Sequence, residues 1–223
     1  MTAAIPVRDG EAYLAEAIES VLAQTRPCDQ VIVVDNGSTD GSAEIARAYA
    51  PVKLVSEPHE GIGAARNAAF RATSGSHLAF LDADDLWEPT KTAVQLAALK
   101  AEPELQIVFG HVRQFVSPDL APVDAAALNV PTAPQPGLYI GAMLATRSAV
   151  EAIGPWPEDA KVSDGLSFML RMRELGIGNA MLGDTVTLRR LHGANHSIHN
   201  RAERTEFARM IKRSLDRRRG GAS

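Results

Sequence analysis

The sequence predicts an α/β protein with a mostly parallel central sheet and helices on both faces. Three observations carry this. Apolar strand-like runs alternate with helical stripes through the first hundred residues, in βαβα order. The run at 31–34 is apolar at every position, as in strands covered on both faces. Acids and glycines follow the runs ending near Asp35 and Asp82, where open α/β sheets bind ligands beyond the carboxyl ends of their strands.

The elements follow in order. "AAIPV" (3–7) is a short apolar strand, and "EAYLAEAIESVLAQ" (11–24) sets Leu14, Ala17, Ile18, Val21 and Leu22 on one helical stripe. The strand in "QVIVVDNGSTDGS" (30–42) breaks at Asp35 into a turn rich in Gly, Ser and Asp. "SAEIARAYA" (42–50) reads as a helix and "VKLVSE" (52–57) as a strand. "GIGAARNAAFRAT" (61–73) is a helix entered through glycines, and "HLAFLDADDLW" (77–87) supplies the next strand.

Beyond residue 100 the pattern loosens. Residues 115–137 hold five prolines and little periodicity, which predicts a long loop. "YIGAMLATRSAVEAIG" (139–154) reads as strand then helix, with Gly154 as its stop. "DGLSFMLRMRELG" (164–176) is a helix with Leu166, Met169, Leu170 and Leu175 suited to burial. "RTEFARMIKRSLDRRR" (204–219) is amphipathic and basic; it suits docking on the protein body or peripheral contact with an anionic membrane.

Length and composition fit one soluble domain. The 223 residues carry a formal charge of −4, which gives no bulk attraction for nucleic acid. Cys28 is the only cysteine, so no intramolecular disulfide forms, in keeping with a reducing cytoplasm. Neither a charged leader with an apolar stretch nor a membrane-length apolar run is visible, and the expected location is cytoplasmic.

The acids after the fourth strand need explaining. Asp82, Asp84 and Asp85 fall within four positions, and no cation beside them in sequence offsets their charge. Two carboxylates about 5 Å apart repel by roughly 3 kcal/mol at an effective dielectric near 20, so the cluster calls for cations or a raised pKa. A lone acid here would cap a helix or face solvent. Three together suit a hard divalent ion, which takes one or two carboxylates and completes its shell with phosphate and water. Trp87 reads as a packing residue.

The motifs "IPVRDGEAYLAEAIESVLAQT", "VVDNGSTDGS", "GIGAARNAAF", "FLDADDLW", "VSDGLSFMLRMRELG" and "RRLHGANHS" together resemble the family 2 glycosyltransferases, inverting enzymes of the A-type fold with a Rossmann-like nucleotide-binding half. The resemblance covers about residues 4–200 and is strongest over the first hundred. It implies a nucleotide-diphospho-sugar donor, Mg²⁺ or Mn²⁺, and an acidic base for an acceptor hydroxyl. One domain over 1–223 follows, with a donor half to about residue 100, an acceptor half to about 200 and the basic helix at 201–223.

Residue by residue, the resemblance places Pro6, Val7, Arg8, Asp35 and Asn36 at the nucleoside, and Arg66 and Asn67 near the diphosphate. Asp82 and Asp84 match the Asp-x-Asp motif, with Asp84 the direct metal ligand and Asp85 and His192 as further ligand candidates. Asp164 matches the general base. Asn36 and Arg8 stand where the family commonly has Asp and an aromatic, which puts uracil as the base in doubt; Ser163 replaces the usual Glu before the base. No Gln-x-x-Arg-Trp element follows, which implies a single transfer per encounter.

Other readings are open. His192, His196 and His199 have zinc-like spacing, but Gly193, Asn195 and Ser197 argue for a loop. "GIGAAR" hints at a dinucleotide fold, yet that fingerprint belongs after the first strand. A sugar-1-phosphate nucleotidyltransferase needs a Gly-rich loop after that strand, which is missing, and a non-catalytic donor-binding module is the remaining rival.

Overall fold

Alternation within the strands decides which face each helix covers. The computed structural model describes residues 1–119, 130–158 and 164–193, with the side chain of Asp164 outside the description. Strands β1 (Thr2–Val7), β2 (Gln30–Asp35), β3 (Val52–Ser56) and β4 (His77–Phe80) are joined by helices α1 (Leu14–Leu22), α2 (Ser42–Ala48) and α3 (Ile62–Ala72). Ala3, Ile5, Val31 and Val33 point to one face, into a core with Leu14, Ile18 and Val21 of α1 and Ala46 of α2. Ala4, Ile32 and Val34 point to the other, against Ala65, Ala68 and Ala69 of α3. Two buried faces make these strands continuously apolar.

The second half comprises β5 (Leu86–Trp87), α4 (Lys91–Ala101), β6 (Ile107–Val116), β7 (Gln135–Pro136), a 3₁₀ turn (Ile140–Ala142), β8 (Leu144–Thr146), α5 (Arg147–Ile153), α6 (Asp164–Glu174) and β9 (Asn179–Leu191). Among the described residues the sheet order is β3-β2-β1-β4-β8-β6-β9-β5, with β7 on β6. The parallel expectation holds for β1 to β4. Beyond them the sheet is mixed: β8 runs antiparallel to β4 and β6, and β5 antiparallel to β9. Strand β9, reached through α5 and α6, runs parallel to β6, whereas β7 and β8 follow β6 with no intervening α-helix among the described residues and pair with it antiparallel.

Several boundaries differ from the sequence expectations. Helix α1 starts at Leu14 rather than near residue 11. The Glu11 amide donates to Asp40 Oδ2 and its carboxylate accepts from the Gly41 amide, so Glu11 belongs to a latch between two loops. The 115–137 segment is not all loop, because β6 reaches Val116 and Gln135 pairs back onto Val112. Gly154 does end α5, at φ 84°. In α6 the buried residues are Phe168, Met169 and Met172, whereas Leu175 is 54% exposed. Helix α6 is fixed by stacking: Phe168 lies parallel to Trp156 at 5.0 Å, and Trp156 meets Phe80 of β4 edge-on at 5.3 Å. Such pairs contribute roughly 0.5–1.5 kcal/mol each beyond their buried area.

Lys91 is fully buried in α4. Its ammonium donates to Gln95 Oε1 at 2.9 Å and sits 5.1 Å from the Trp87 ring. Burial pulls its pKa down from 10.5 to about 7. Between those values the unfolded chain binds a proton that the folded chain does not, so this group's contribution to stability rises with pH from about 7 to 10.5. Lys91→Met is expected to stabilise the protein at pH 6 by a few kcal/mol, to order of magnitude, with the difference from wild type shrinking by pH 9. Urea denaturation of both proteins at the two pH values checks this; a pH-independent difference would contradict a desolvated ammonium.

Candidate functional site

Sheet order fixes where the site lies. The chain leaves β1 for β2 and β3 on one side and returns to β4 on the other, so strand order reverses between β1 and β4. A crevice opens beyond the carboxyl ends of strands at such a reversal. Arg8 follows β1, Asp35 ends β2, and the acids follow β4.

The acid motif is a turn closed by the Asp85 amide on the Asp82 carbonyl at 3.1 Å. It leads into β5, which pairs with β9 through Leu86 opposite Leu188 and Trp87 opposite Thr187. Continuing that register carries Arg190 and His192 to the turn. His192 Nε2 lies 3.0 Å from Asp84 Oδ2. Arg66, on α3, approaches Asp82 Oδ1 at 3.6 Å. The cluster therefore has arginines beside it after all, Arg190 brought from more than 100 positions away on one side and Arg66 from α3 on the other, with the His192 ring against Asp84.

The third acid behaves differently. Asp85 is 3% exposed and faces inward, its Oδ1 accepting the Arg190 amide at 2.9 Å and its Oδ2 standing 3.5 Å from the Tyr139 hydroxyl. Burial first, then the charges of Asp82 and Asp84, hold its carboxyl well above the usual carboxylate range. Asp82 and Asp84 keep about a third of their side-chain surface exposed. Among the described residues no group of three His, Cys, Asp or Glu side chains is arranged around one point as a ready metal cage. What remains suits a hard ion that takes one or two carboxylates and draws its other oxygens from phosphate and water.

The nucleoside candidates divide. Pro6 and Val7 are buried at the end of β1, and the Val7 carbonyl accepts the Asn36 amide. Asp35 Oδ1 accepts the Ser38 amide at 3.0 Å. Arg8 stands exposed and pairs with Glu60 at 2.9 Å, bridging the end of β1 to the loop before α3. Asn36 is buried: its side-chain amide donates to the carbonyls of Glu57 and His59, and its oxygen accepts the Gly61 amide. The structure thus makes Asn36 the buttress of the 57–61 loop, with both its N–H groups engaged there.

Asn67 is likewise placed on protein. Its amide donates to the Trp156 carbonyl and to Glu158, and its oxygen accepts the Trp156 amide. This ties α3 to the 155–158 segment, an approach so close that a Cβ on Gly63 would lie 2.1 Å from the Pro157 carbonyl. Arg66, one residue away, faces the acids instead. A cleft of about 300 Å³ beside Phe70, Val150 and Trp156 lies apart from Asp82 and Asp84, so the acids rather than this cleft mark the site. Asp164 opens α6, and its side chain lies outside the described residues, as do Ser163, His196, His199 and the 204–219 stretch.

A model of glycosyl transferase family 2 matches residues 2–135, more than half of the chain. The chain belongs to glycosyltransferase family 2. Among curated relatives, an uncharacterized glycosyltransferase of Nostoc is 45% identical over 84 residues, covering 35% of this chain and 26% of that protein. The chain thus spans a minor part of the length of the curated relatives it matches. Solved glycosyltransferase structures share its A-type fold. Staphylococcus aureus TarS (1–349) with UDP-GlcNAc superposes with a TM-score of 0.74 at 18% identity, over 96% of this chain and 66% of that one. The mannosyltransferase PcManGT of Pyrobaculum calidifontis, with GDP-Man and Mn²⁺, gives 0.68 at 22% identity, over 88% and 58%.

Within this family 2 chain, sequence reading missed Arg190, Tyr13 and Glu16. Arg190 is buried, with Nε on the Asp84 carbonyl at 3.0 Å and a terminal nitrogen on Glu16 Oε2 at 2.7 Å. The signal was the second of two arginines between Leu188 and Leu191, two residues before His192 in "RRLHGANHS". No helix among the described residues is long and apolar enough to cross a membrane.

Proposed function

We propose that this chain is a metal-dependent, inverting glycosyltransferase that moves one sugar per encounter from a nucleotide-diphospho-sugar to an acceptor hydroxyl. The observation that carries this is the Asp82–Asp85 turn at the β1/β4 reversal, with His192 and Arg66 drawn to it, in a family 2 chain. UDP-GlcNAc and GDP-Man with Mn²⁺ in the structural neighbours support this class of donor and a divalent ion.

Asp84, aided by Asp82, would hold Mg²⁺ or Mn²⁺ together with the donor diphosphate. The ion, when bound, offsets the charge that develops on the leaving oxygens. Arg66 adds positive charge beside Asp82, and His192 keeps the Asp84 carboxylate from swinging away. Arg8, Asp35 and the Asn36-braced loop form the nucleoside end. Asp164, at the start of α6, takes the acceptor proton. Residues to about 100 serve the donor and those from about 101 to 200 the acceptor, within one cytoplasmic domain; peripheral membrane contact belongs to the 201–223 stretch.

Release of nucleoside diphosphate tests this directly. UDP-GlcNAc, GDP-Man and related donors are incubated with the protein, with Mn²⁺ or with chelator. Metal-dependent release from at least one donor is expected, slow without acceptor and faster with one. Donor binding without release would favour the non-catalytic module, and neither binding nor release with any donor would sink the assignment.

A further inference from the structure

Arg190 is held more elaborately than a packing residue requires. Its guanidinium lies between the rings of Tyr13, at 4.6 Å, and Phe115, at 4.8 Å. Its edge donates to the Asp84 carbonyl and to Glu16, and its own amide donates to Asp85 Oδ1. Tyr13 in turn meets the His192 ring at 4.7 Å and donates its hydroxyl to Asp119 at 2.5 Å. Phe115, Arg190 and Tyr13 thus stack, and His192 continues the contact with its ring tilted by 50° against Tyr13. Two members touch the same residue: Arg190 grips the main chain of Asp84, and His192 lies against its carboxylate.

We propose that Arg190 is a positioning residue for diphosphate capture: it fixes the backbone of Asp84 and, through Tyr13, holds His192 against the carboxylate that would receive the metal. This rests on the donor-site reading above. A buried cation is a weak source of stability, since an apolar residue of similar volume often serves as well. Its retention here follows from geometry. A guanidinium presents two flat faces to aromatic rings and donors around its edge at once, which an ammonium cannot do. Residues that orient a metal ligand commonly change metal affinity 10–100-fold when removed, without touching the ion.

The test uses the whole chain with Arg190→Lys and Arg190→Met. Calorimetry measures UDP and GDP affinity with and without Mn²⁺, alongside melting temperature. The expected result is a 10- to 100-fold loss of affinity in the presence of Mn²⁺ for both variants, with metal-free affinity within about twofold of wild type. Tyr13→Leu, which removes one wall of the stack, should show a smaller loss in the same direction; it also carries the test if Arg190→Met fails to fold. A purely structural arginine would lower the melting temperature and leave the Mn²⁺ dependence of the folded variants intact, which overturns the proposal alone. If wild type shows no Mn²⁺-dependent binding, the donor-site reading fails and this proposal with it.

Discussion

Asp84→Ala is expected to abolish the Mn²⁺-dependent part of nucleoside diphosphate binding, a loss on the order of 10²-fold or more, while the protein stays folded. The fold tolerates the change because the side chain is a third exposed, on a turn that the Asp85 amide closes onto the Asp82 carbonyl through backbone groups alone. Metal binding does not, because a hard ion has few other oxygens at this turn. Asp82 shares its charge with Arg66, and Asp85 is turned inward onto the Arg190 amide. Asp85→Asn is the informative comparison. Its carboxyl is held well above the usual range by burial and by the two neighbouring acids, so an amide there mimics the protonated form and should cost little metal affinity. Calorimetric titration of Mn²⁺ with UDP or GDP across the three proteins reads both outcomes. Wild-type affinity in Asp84→Ala would remove Asp84 as a ligand. Equal losses in both variants would place the ion deeper, at Asp85.

How much of this was legible in the sequence follows from the range of the interactions involved. Strands β1 to β4 declare themselves because both faces are buried, and α1 because Leu14, Ala17, Ile18 and Val21 repeat at helical spacing. Strand β9 does not: its first half alternates with exposed residues and carries Gly183 and Asp184, and its pairing with β6 slips in register between Phe109 and His111. That slip is a tertiary fact with no local sequence pattern.

The site shows the same division. The acids stand together in sequence, so their concentration of charge could be read directly. What faces them was legible in part: the resemblance already pointed to Arg66 and His192, whereas Arg190 joins the turn only through the β5–β9 pairing, a contact with no local sequence pattern. Asn36 and Asn67 show the converse. Both stand in motifs that suggest ligand contact, yet each amide closes protein–protein bonds over 20 or more residues of separation, one bracing the 57–61 loop and the other Trp156. A motif identifies which residues matter near a site, and only the fold tells ligand contacts from the bonds that hold the site's walls.

Asp164→Asn is expected to lower kcat by about 10²- to 10⁴-fold, the usual contribution of a general base, with donor affinity unchanged. Inversion requires a base on the side of the sugar opposite the leaving diphosphate, because a single displacement leaves no covalent intermediate to turn the stereochemistry back. Helix α6 is a rigid support for such a base. Phe168 stacks on Trp156, Gly165 packs beside Ile140, and Trp156 is tied through Asn67 to α3, the helix that carries Arg66 toward the acids. Base and diphosphate would then be held in one frame. Asparagine keeps the size of the side chain and its ability to cap the helix, but it cannot take a proton. The Asn variant should therefore melt as wild type does, and the acid limb of its pH–kcat profile should flatten, since the titrating base is gone. A residue that only caps α6 gives the opposite pattern: a lower melting temperature for Asp164→Ala, none for Asp164→Asn, and full turnover in the latter. Turnover, donor Kd and melting temperature of both variants separate the two roles, and an Asn variant that turns over at the wild-type rate would remove Asp164 from the chemistry.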